Sequence, residues 1–426
     1  MGRHADLLGR HREVLPTWLS LYYEQPIALV RGEGRHVWDA EGNRYLDFFG
    51  GILTTISGHA VPEIVEAIQE QAGRLLHTST AYLIEPMITL AETIADLAPM
   101  PDAKVFFVSS GTEANEAALL MACTARRSNQ VLALRNSYHG RSFAAVGITG
   151  NRSWSPSAFS PLNVSYVHNG DHARSPWRQL PPEEYIAACV EDMRQLIDTQ
   201  TAGDVACLIA EPIQGVGGFT LPPDGYFSAL KDVCDEHGIL FVSDEVQTGW
   251  GRTGEHYWGI EAHDVVPDLM TFAKGLGNGL AIAGVVGRGD LIDSVPAHSI
   301  STFGGNPLAA VGALANLQFL AKNDTQHNAR EIGALLLSGL RERCGSAPAV
   351  TDIRGKGLMI GVELSADGAP APALASAVME RCREQGLLIG KGGLYGNVLR
   401  IAPALTVTRE EAEQALDIIA GALAEV

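Results

Sequence analysis

The sequence of 426 residues lacks the features of a disulfide-bonded, metal-binding or membrane-inserted chain. Its six cysteines lie far apart, with no C-x-x-C pair and no Cys/His cluster at zinc spacing, so we expect neither a disulfide framework nor a metal site. The longest apolar-rich stretch, 308–321, is too short to span a bilayer and carries Asn316 and Gln318. We therefore expect a cytoplasmic protein that is neither secreted nor membrane-bound.

Positive charge is also scarce. The chain has 31 Lys and Arg against 49 Asp and Glu, a formal net charge of −18, which repels nucleic-acid backbones and anionic membrane surfaces. We therefore expect no nucleic-acid or membrane partner. Hydrophobic residues make up 46% and charged residues 19%, which favours a globular enzyme over a disordered chain.

The middle of the chain has the rhythm of an α/β protein. Short apolar runs alternate there with helical patterns, at 105–108, 131–134, 205–210, 239–243, 269–273 and 283–286. This alternation predicts a mainly parallel sheet between helices. We expect a large domain over 61–305 and a smaller α+β domain over 306–426, which opens with a linking helix after Asn306 and Pro307. Residues 1–60 lack the rhythm and are expected to pack with the small domain.

Only six lysines exist, so a lysine in a special environment can be sought by elimination. Lys274 ends the run 269–273 and precedes a glycine-rich segment, 275–279, that leaves room for a ligand. Ligands of open α/β sheets bind beyond the carboxyl ends of strands. A lysine desolvated there has a lowered pKa and can form a Schiff base. Lys391, between glycines, is the alternative, and a lysine that merely extends from a strand end to solvent is the ordinary interpretation.

Asp244 ends the neighbouring run, 239–243. A carboxylate at that depth needs a cationic or hydrogen-bonding partner, and a protonated ring nitrogen would be one. The ordinary interpretation is an aspartate that caps the next helix. Glycines interrupt the segment 246–252 that follows, so it is a poor helix start and the functional interpretation is favoured.

Two further segments belong to the same sheet edge. Ser110, Gly111 and Thr112 open a helix whose free N–H groups can hold a phosphate, although such residues also cap helices structurally. Tyr138 and His139 follow the second run, where a ring can stack on a flat cofactor or simply cover the core. The glycine-rich loops match neither the Walker pattern nor a dinucleotide fingerprint, which disfavours ATP and NAD. Together these features describe a pyridoxal 5′-phosphate (PLP) site.

The sequence closely resembles the class III (ω-type) aminotransferases of PLP fold type I over nearly its whole length. The resemblance is carried by motifs in order: LDF at 46–48, GH at 58–59, SGTEAN at 110–115, YHGR at 138–141, EPIQG at 211–215, DEVQTG at 244–249, AKG at 273–275, TFGGNP at 302–307 and RGKGL at 354–358. A single motif of this kind has a real false-positive risk, whereas the ordered series is highly specific.

This resemblance implies a homodimeric transaminase with shared active sites. It assigns Lys274 to the covalent bond with PLP, Asp244 to the pyridine nitrogen, and Ser110, Gly111 and Thr112 to the phosphate. It also implies that Tyr138, with His139 beside it, stacks on one face of the PLP ring and that Val246 packs on the other. Gln247 would lie at the ring hydroxyl, and Thr302 would reach the phosphate bound by the neighbouring subunit. Glu211 would pair with Arg400, and the arginine would swing away to bind a substrate carboxylate.

The motifs also bear on the substrate. Tyr22-Tyr23, HTST at 77–80 and RIAP at 400–403 look most like the alanine-glyoxylate aminotransferase 2 group, whereas Arg141 looks like the 4-aminobutyrate and ornithine branches. We expect ping-pong transfer from alanine or an ω-amino acid to a 2-oxo acid such as glyoxylate or pyruvate. The alternatives are a 4-aminobutyrate/ornithine-type enzyme using 2-oxoglutarate, a PLP aminomutase or decarboxylase on the same fold, and a catalytically silent PLP-binding protein.

Overall fold

A computed structural model describes residues 3–156 and 159–425. Its helices are α1 (Arg3–Val14), α2 (Gly50–Leu53, a single turn), α3 (Pro62–Arg74), α4 (Glu85–Leu97), α5 (Gly111–Arg126), α6 (Phe143–Gly147), α7 (Pro182–Gln200), α8 (Tyr226–His237), α9 (Gly289–Ile292), α10 (Pro307–Lys322), α11 (Thr325–Cys344), α12 (Pro372–Glu384) and α13 (Arg409–Ala424). Its strands are β1 (Leu29–Glu33), β2 (His36–Asp39), β3 (Arg44–Asp47), β4 (Ala103–Val108), β5 (Gln130–Leu134), β6 (Asn163–Val167), β7 (Cys207–Ala210), β8 (Leu240–Asp244), β9 (Leu269–Phe272), β10 (Ala283–Arg288), β11 (Val350–Lys356), β12 (Met359–Ala366), β13 (Ala369–Pro370), β14 (Leu387–Leu388), β15 (Gly390–Gly392) and β16 (Val398–Ile401). None of the helices in these ranges has the length and apolar composition of a membrane-spanning segment.

The six predicted apolar runs all lie in one seven-stranded sheet, in the order β4-β10-β9-β8-β7-β5-β6. The neighbouring pairs from β9 to β6 are parallel, and β10 alone runs against both of its neighbours. The prediction of a mainly parallel sheet in an α/β fold is confirmed. The edge strand β6 was not predicted.

Helices cover both faces of this sheet because successive side chains of a strand point to opposite sides. In β5, Leu132 and Leu134 pack in the cluster that includes α4, α7, α8 and α10. Val131 and Ala133 pack in the cluster of α5, α6 and α9 on the other face. Burial on both faces explains why these strands read as unbroken apolar runs.

Two smaller sheets involve the C-terminal part of the chain. One is antiparallel, in the order β11-β12-β16-β15 with β13 beside β12, and α11 and α12 pack against it. The other has the order β1-β2-β3-β14, with β14 parallel to β3, so it joins the first sixty residues to the C-terminal part. The expected linking helix is α10, whose N-cap Asn306 accepts a hydrogen bond from Ala309 N at 3.1 Å. The division at 60 and 305 stays a prediction.

The direction of the large sheet assembles a set of polar residues. Parallel strands have their carboxyl ends at one edge, and β4, β5, β7, β8 and β9 all share that direction. Their ends lead into Gly111, Tyr138, Glu211, Asp244 and Lys274 respectively.

Candidate active site

Lys274 differs from every other lysine in the chain. Its side chain makes no hydrogen bond or ion pair with any residue in the described ranges, whereas the other five each have a partner. The pairs are Lys104 with Asp293, Lys231 with Asp235, Lys322 with Glu63, Lys356 with Glu255, and Lys391 with Ser376. The rival, Lys391, therefore has its ammonium engaged by a serine hydroxyl on α12, 2.5 Å away.

The environment of Lys274 favours the neutral amine. Its pKa is lowered to about 8, mainly by burial; the charges of Asp244 and Glu211 partly oppose this shift, and that of Arg400 adds to it. The backbone of Lys274 is left-handed, with φ +42°, which is uncommon for any residue other than glycine. Such conformations cluster at functional sites, where the surrounding structure holds them in place.

Asp244 lies at the end of β8 with 4% of its surface exposed. Its Oδ1 accepts a hydrogen bond from Val246 N at 3.1 Å, and its Oδ2 accepts one from Asn115 Nδ2 at 2.8 Å. His139 Nδ1 lies 2.7 Å from Oδ2, and because an ionised carboxylate only accepts, the ring donates from that nitrogen. No helix follows Asp244, so it is not a helix cap.

Asn115 is a residue of the site that sequence reasoning did not assign. It is fully buried on α5, and its Nδ2 also donates to the His139 carbonyl at 2.8 Å. Its Oδ1 accepts from Thr271 Oγ1 of β9 at 2.7 Å, so one amide ties β9 to the Asp244 carboxylate. A signal was available, because Asn115 falls on the otherwise apolar face of its helix.

The start of α5 provides the candidate anion site. Ser110 is the N-cap, and its Oγ accepts from Glu113 N at 3.3 Å. The N–H groups of Gly111 and Thr112 donate no hydrogen bond within the described ranges, so they are available to a phosphate. A Cβ on Gly111 would lie 3.1 Å from both γ-carbons of Val246, so these two residues approach closely.

Tyr138 and Glu211 are joined across the sheet edge. Glu211 Oε1 accepts from Tyr138 N at 2.9 Å, and its Oε2 accepts from Gly215 N at 2.8 Å. Burial raises the pKa of Glu211 to about 7, with Asp244 adding to the rise. The Tyr138 ring packs edge-on against Trp154, with the ring centres 5.4 Å apart.

Arg400 is fully buried on β16, and its surroundings differ from the expectation. No ion pair joins it to Glu211, whose two carboxylate oxygens each accept from a backbone amide. Instead, Arg400 Nη2 donates to Gln247 Oε1 at 2.9 Å. Its guanidinium lies 5.1 Å from the ring centre of Phe49 and 4.6 Å from that of Phe219. Its buried Nε has no partner in the described ranges, which leaves a donor for a ligand.

Two predicted residues lie at the margin. Arg141 is exposed on the loop after Tyr138, and its charge partly offsets the rise that burial causes in the pKa of Tyr138. Thr302 is exposed on the loop before α10. The single chain thus brings together the residues at the strand ends and leaves these two open to solvent.

A comparison with known families decides which protein family has this arrangement. The profile of the class III aminotransferases matches residues 21–423. The chain belongs to this family. Class III aminotransferases use pyridoxal 5′-phosphate, and the chain is a PLP-dependent transaminase.

Individual members of the class III aminotransferases are similar over nearly the full length. The alanine–glyoxylate aminotransferase 2 homologue 2 of Arabidopsis thaliana, a mitochondrial protein, is 39% identical over 97% of this chain and 86% of its own. A thermostable (S)-enantioselective ω-transaminase of Thermomicrobium roseum has a TM-score of 0.91 at 33% identity, covering 100% of this chain and 99% of its own. A PLP-bound amine transaminase of an uncultivated Pseudomonas species has a TM-score of 0.90 at 29% identity, covering 97% and 98%.

The residues of this chain fit the cofactor of the class III aminotransferases. PLP needs an amine for its aldehyde, an anion for its ring nitrogen and donors for its phosphate. The structure offers an unpartnered lysine, a buried carboxylate that only accepts, and two free amides at a helix N-terminus.

Proposed function

We propose that this transaminase moves an amino group from alanine or an ω-amino acid to a 2-oxo acid such as glyoxylate or pyruvate, with Lys274 as the residue that holds the cofactor. The observation that carries the assignment is that Lys274 alone among the lysines has no partner, next to a strand that ends in Asp244. The similarity to an alanine–glyoxylate aminotransferase supports the substrate pair.

Each residue has a distinct task in this proposal. PLP, when bound, supplies an electron-withdrawing ring that stabilises negative charge at the substrate Cα. Asp244, whose carboxyl group is oriented by three hydrogen-bond partners, would bind the protonated ring nitrogen. Burial lowers the pKa of Lys274 to about 8, so a fraction of the molecules carries the neutral amine near physiological pH, and that free amine can take a proton from Cα and return it elsewhere. Tyr138 and Val246 would flank the ring, with Gln247 near its hydroxyl.

Arg400 would bind the substrate carboxylate. A guanidinium binds a carboxylate through two parallel hydrogen bonds, and the aromatic rings of Phe49 and Phe219 pack beside it. Its hydrogen bond to the neutral Gln247 amide can be exchanged for an anion at low cost. Glu211, already bound to two amides, would balance the positive charge when the substrate brings no second carboxylate.

Arg400→Lys is expected to raise KM for both the amino acid donor and the 2-oxo acid. Lysine keeps the positive charge but cannot form the two parallel hydrogen bonds to a carboxylate. We therefore expect KM to rise at least about tenfold, or about 1.4 kcal/mol. Steady-state kinetics with alanine and glyoxylate measures the effect. An amine without a carboxylate is the control substrate, and its KM should stay the same. Unchanged KM for every carboxylate would refute the role of Arg400.

Arg141→Ala is expected to weaken substrates that carry a distal carboxylate. An arginine three residues after Tyr138 would add a second cation near the substrate and favour 4-aminobutyrate, β-alanine or 2-oxoglutarate. The loss of a charged hydrogen bond is worth roughly 1.5 to 3 kcal/mol in kcat/KM for those substrates. Alanine should be unaffected.

The control for Arg141→Ala is Arg126→Ala, which removes an exposed arginine at the far end of α5. It should behave as the wild type with every substrate. An equal effect of Arg141→Ala on alanine and on 4-aminobutyrate, or no effect on either, would show that Arg141 does not set specificity. The proposal of alanine as donor and glyoxylate as acceptor would then stand, and ω-amino acids would no longer be proposed as donors.

A panel of donors and acceptors tests the proposed function as a whole. Each donor is mixed with the purified holoenzyme while the absorbance of the bound cofactor is followed, and the oxo acid and CO₂ are quantified. Alanine should give one pyruvate per cofactor without CO₂. Release of CO₂ would indicate a decarboxylase, and a spectrum that no donor changes would indicate a silent PLP-binding protein.

We also propose a homodimer. Several large apolar side chains of 75–83 and 300–303 are exposed, including Leu83 at 93% and Phe303 at 62%, and the His77 and Phe303 rings join the two segments at 5.1 Å. A patch of this kind favours a protein interface. Thr302 lies within it, which agrees with a contribution to the neighbouring active site. Sedimentation should give twice the 45.4 kDa mass of the chain.

A cytoplasmic location is likewise a proposal. All six cysteines are unpaired in the structure, as in a reducing compartment. The mitochondrial Arabidopsis relative fits the same observation, and cell fractionation separates the two locations.

A further inference from the structure

Asn316 is a polar residue in the middle of the apolar helix α10. It is fully buried, yet all of its hydrogen-bonding groups are engaged. Its Nδ2 donates to the carbonyls of Gly275 at 2.8 Å and Leu276 at 2.9 Å, and its Oδ1 accepts from Ser57 Oγ at 2.6 Å. A buried amide is tolerated when its donors and acceptor are satisfied, and such networks specify one local geometry.

Asn316 binds the carbonyls of Gly275 and Leu276, the two residues that come immediately after Lys274 in the chain. Lys274 has the left-handed φ of +42°, and a non-glycine residue in this region costs about 1 to 3 kcal/mol unless its surroundings hold it there. Local hydrogen bonds alone are weak here, because Lys274 to Leu276 form only a short 3₁₀ turn. Asn316 therefore fixes the peptide groups that determine where the Lys274 side chain starts.

The same face of α10 is shaped to receive this loop. Gly312 lies one turn before Asn316, and a Cβ there would collide with Leu280. From the other side, Asn278 Oδ1 accepts from Ser57 N at 3.0 Å. The loop 275–280 is thus clamped between α10 and the segment around Ser57, and Asn316 joins all three.

We propose that Asn316 is a positioning residue for Lys274: by binding the next two carbonyls, it keeps the lysine in its left-handed conformation at the edge of the sheet where β8 ends in Asp244. The inference rests on the proposed function, since it assumes that Lys274 is the reacting amine. Without Asn316, two buried carbonyls lose their donor and the 3₁₀ turn can relax. The Lys274 amine is then correctly placed to take the proton from the substrate Cα in a smaller fraction of the molecules, while the Arg400 site on β16 is unaffected.

The test compares the holoenzymes of Asn316→Leu and Asn316→Asp with Gln318→Leu. Gln318 is exposed on the same helix, so its variant controls for a polar-to-apolar change there. For Asn316→Leu we expect kcat to fall about 10- to 100-fold while KM for alanine stays within about twofold. The pH midpoint of the absorbance of the lysine-bound cofactor should shift, and cofactor retention on gel filtration should fall. Gln318→Leu should match the wild type in all four measurements.

Asn316→Asp and one further variant, Ser57→Ala, keep the inference testable if Asn316→Leu does not fold. Asn316→Asp keeps an acceptor for Ser57 but loses both donated bonds, so it should show the same fall in kcat. Ser57→Ala removes only the bond to Oδ1 and should have a smaller effect in the same direction. A folded Asn316 variant with wild-type kcat and pH midpoint overturns the inference. So does one whose only change is a lower thermal midpoint, because that is a structural role.

The same experiment separates this inference from the proposed function. A wild-type holoenzyme whose absorbance does not report a lysine-bound cofactor contradicts both. A wild type with the expected spectrum and pH midpoint, together with an Asn316→Leu variant that matches it, contradicts the positioning role of Asn316 alone.

Discussion

Lys274→Ala is expected to abolish transamination while the fold stays intact. The variant removes the only lysine whose amine is free to bond to the cofactor, and the proton carrier at the same time. The loss should approach the uncatalysed rate, because general-base and covalent contributions disappear together. Stability should not fall, since an unpaired, partly buried ammonium is costly and alanine removes that cost. Calorimetry should show a thermal midpoint no lower than that of the wild-type apoenzyme.

Borohydride reduction of the wild-type holoenzyme identifies the lysine directly. The reduced cofactor should be found by mass spectrometry on the peptide that contains Lys274. Lys391→Ala is the matched control, since it removes the rival lysine, whose amine donates to Ser376, and it should keep its activity. Reduced cofactor on Lys391, or activity in Lys274→Ala, would refute the assignment.

The sequence predicts the large sheet well because its strands are buried on both faces. Such strands give continuous apolar runs, and six of the seven were recognised from them. The exception, β6 (Asn163–Val167), is an edge strand in which only Val167 is fully buried, so Asn163 and Ser165 interrupt the run. The pairing of β14 with β3 joins residues more than 300 positions apart, and no local pattern encodes it.

The site is predictable to the extent that it depends on strand ends. Lys274 and Asp244 each end an apolar run, and the parallel direction of β8 and β9 places those ends together. The partners of these residues were not predictable in the same way. Asn115 and Asn316 are on helices, where the tertiary packing decides which polar side chain faces the site rather than solvent.

The partner of Arg400 was likewise not predictable from the sequence. The family resemblance implies a pair with Glu211, but no ion pair joins the two side chains in the structure. Gly215 N, from the segment after Glu211, and Tyr138 N, from the loop after β5, each donate to one of its carboxylate oxygens. Arg400 instead donates to the Gln247 amide, which the family resemblance assigns to the cofactor hydroxyl.

Asp244→Asn is expected to slow the half-reaction with alanine at least about a hundredfold, or about 3 kcal/mol. The amide carries no charge, so it cannot keep a ring nitrogen protonated, and each unit of lost pKa elevation is worth about 1.4 kcal/mol. The hydrogen bonds add to the effect. Three donors, Val246 N, Asn115 Nδ2 and His139 Nδ1, share the two oxygens of Asp244, whereas asparagine offers only one.

The unpaired donor should also lower the stability of Asp244→Asn, by about 1 to 3 kcal/mol. Asp268→Asn separates this loss from the chemistry. Asp268 is also a nearly buried aspartate at this sheet, where it accepts from Phe241 N at 2.8 Å and pairs with Arg288, but it lies before β9 rather than at a carboxyl end. That variant should lose stability and keep the single-turnover rate. Wild-type single-turnover kinetics in Asp244→Asn would contradict the assignment of Asp244 to the ring nitrogen.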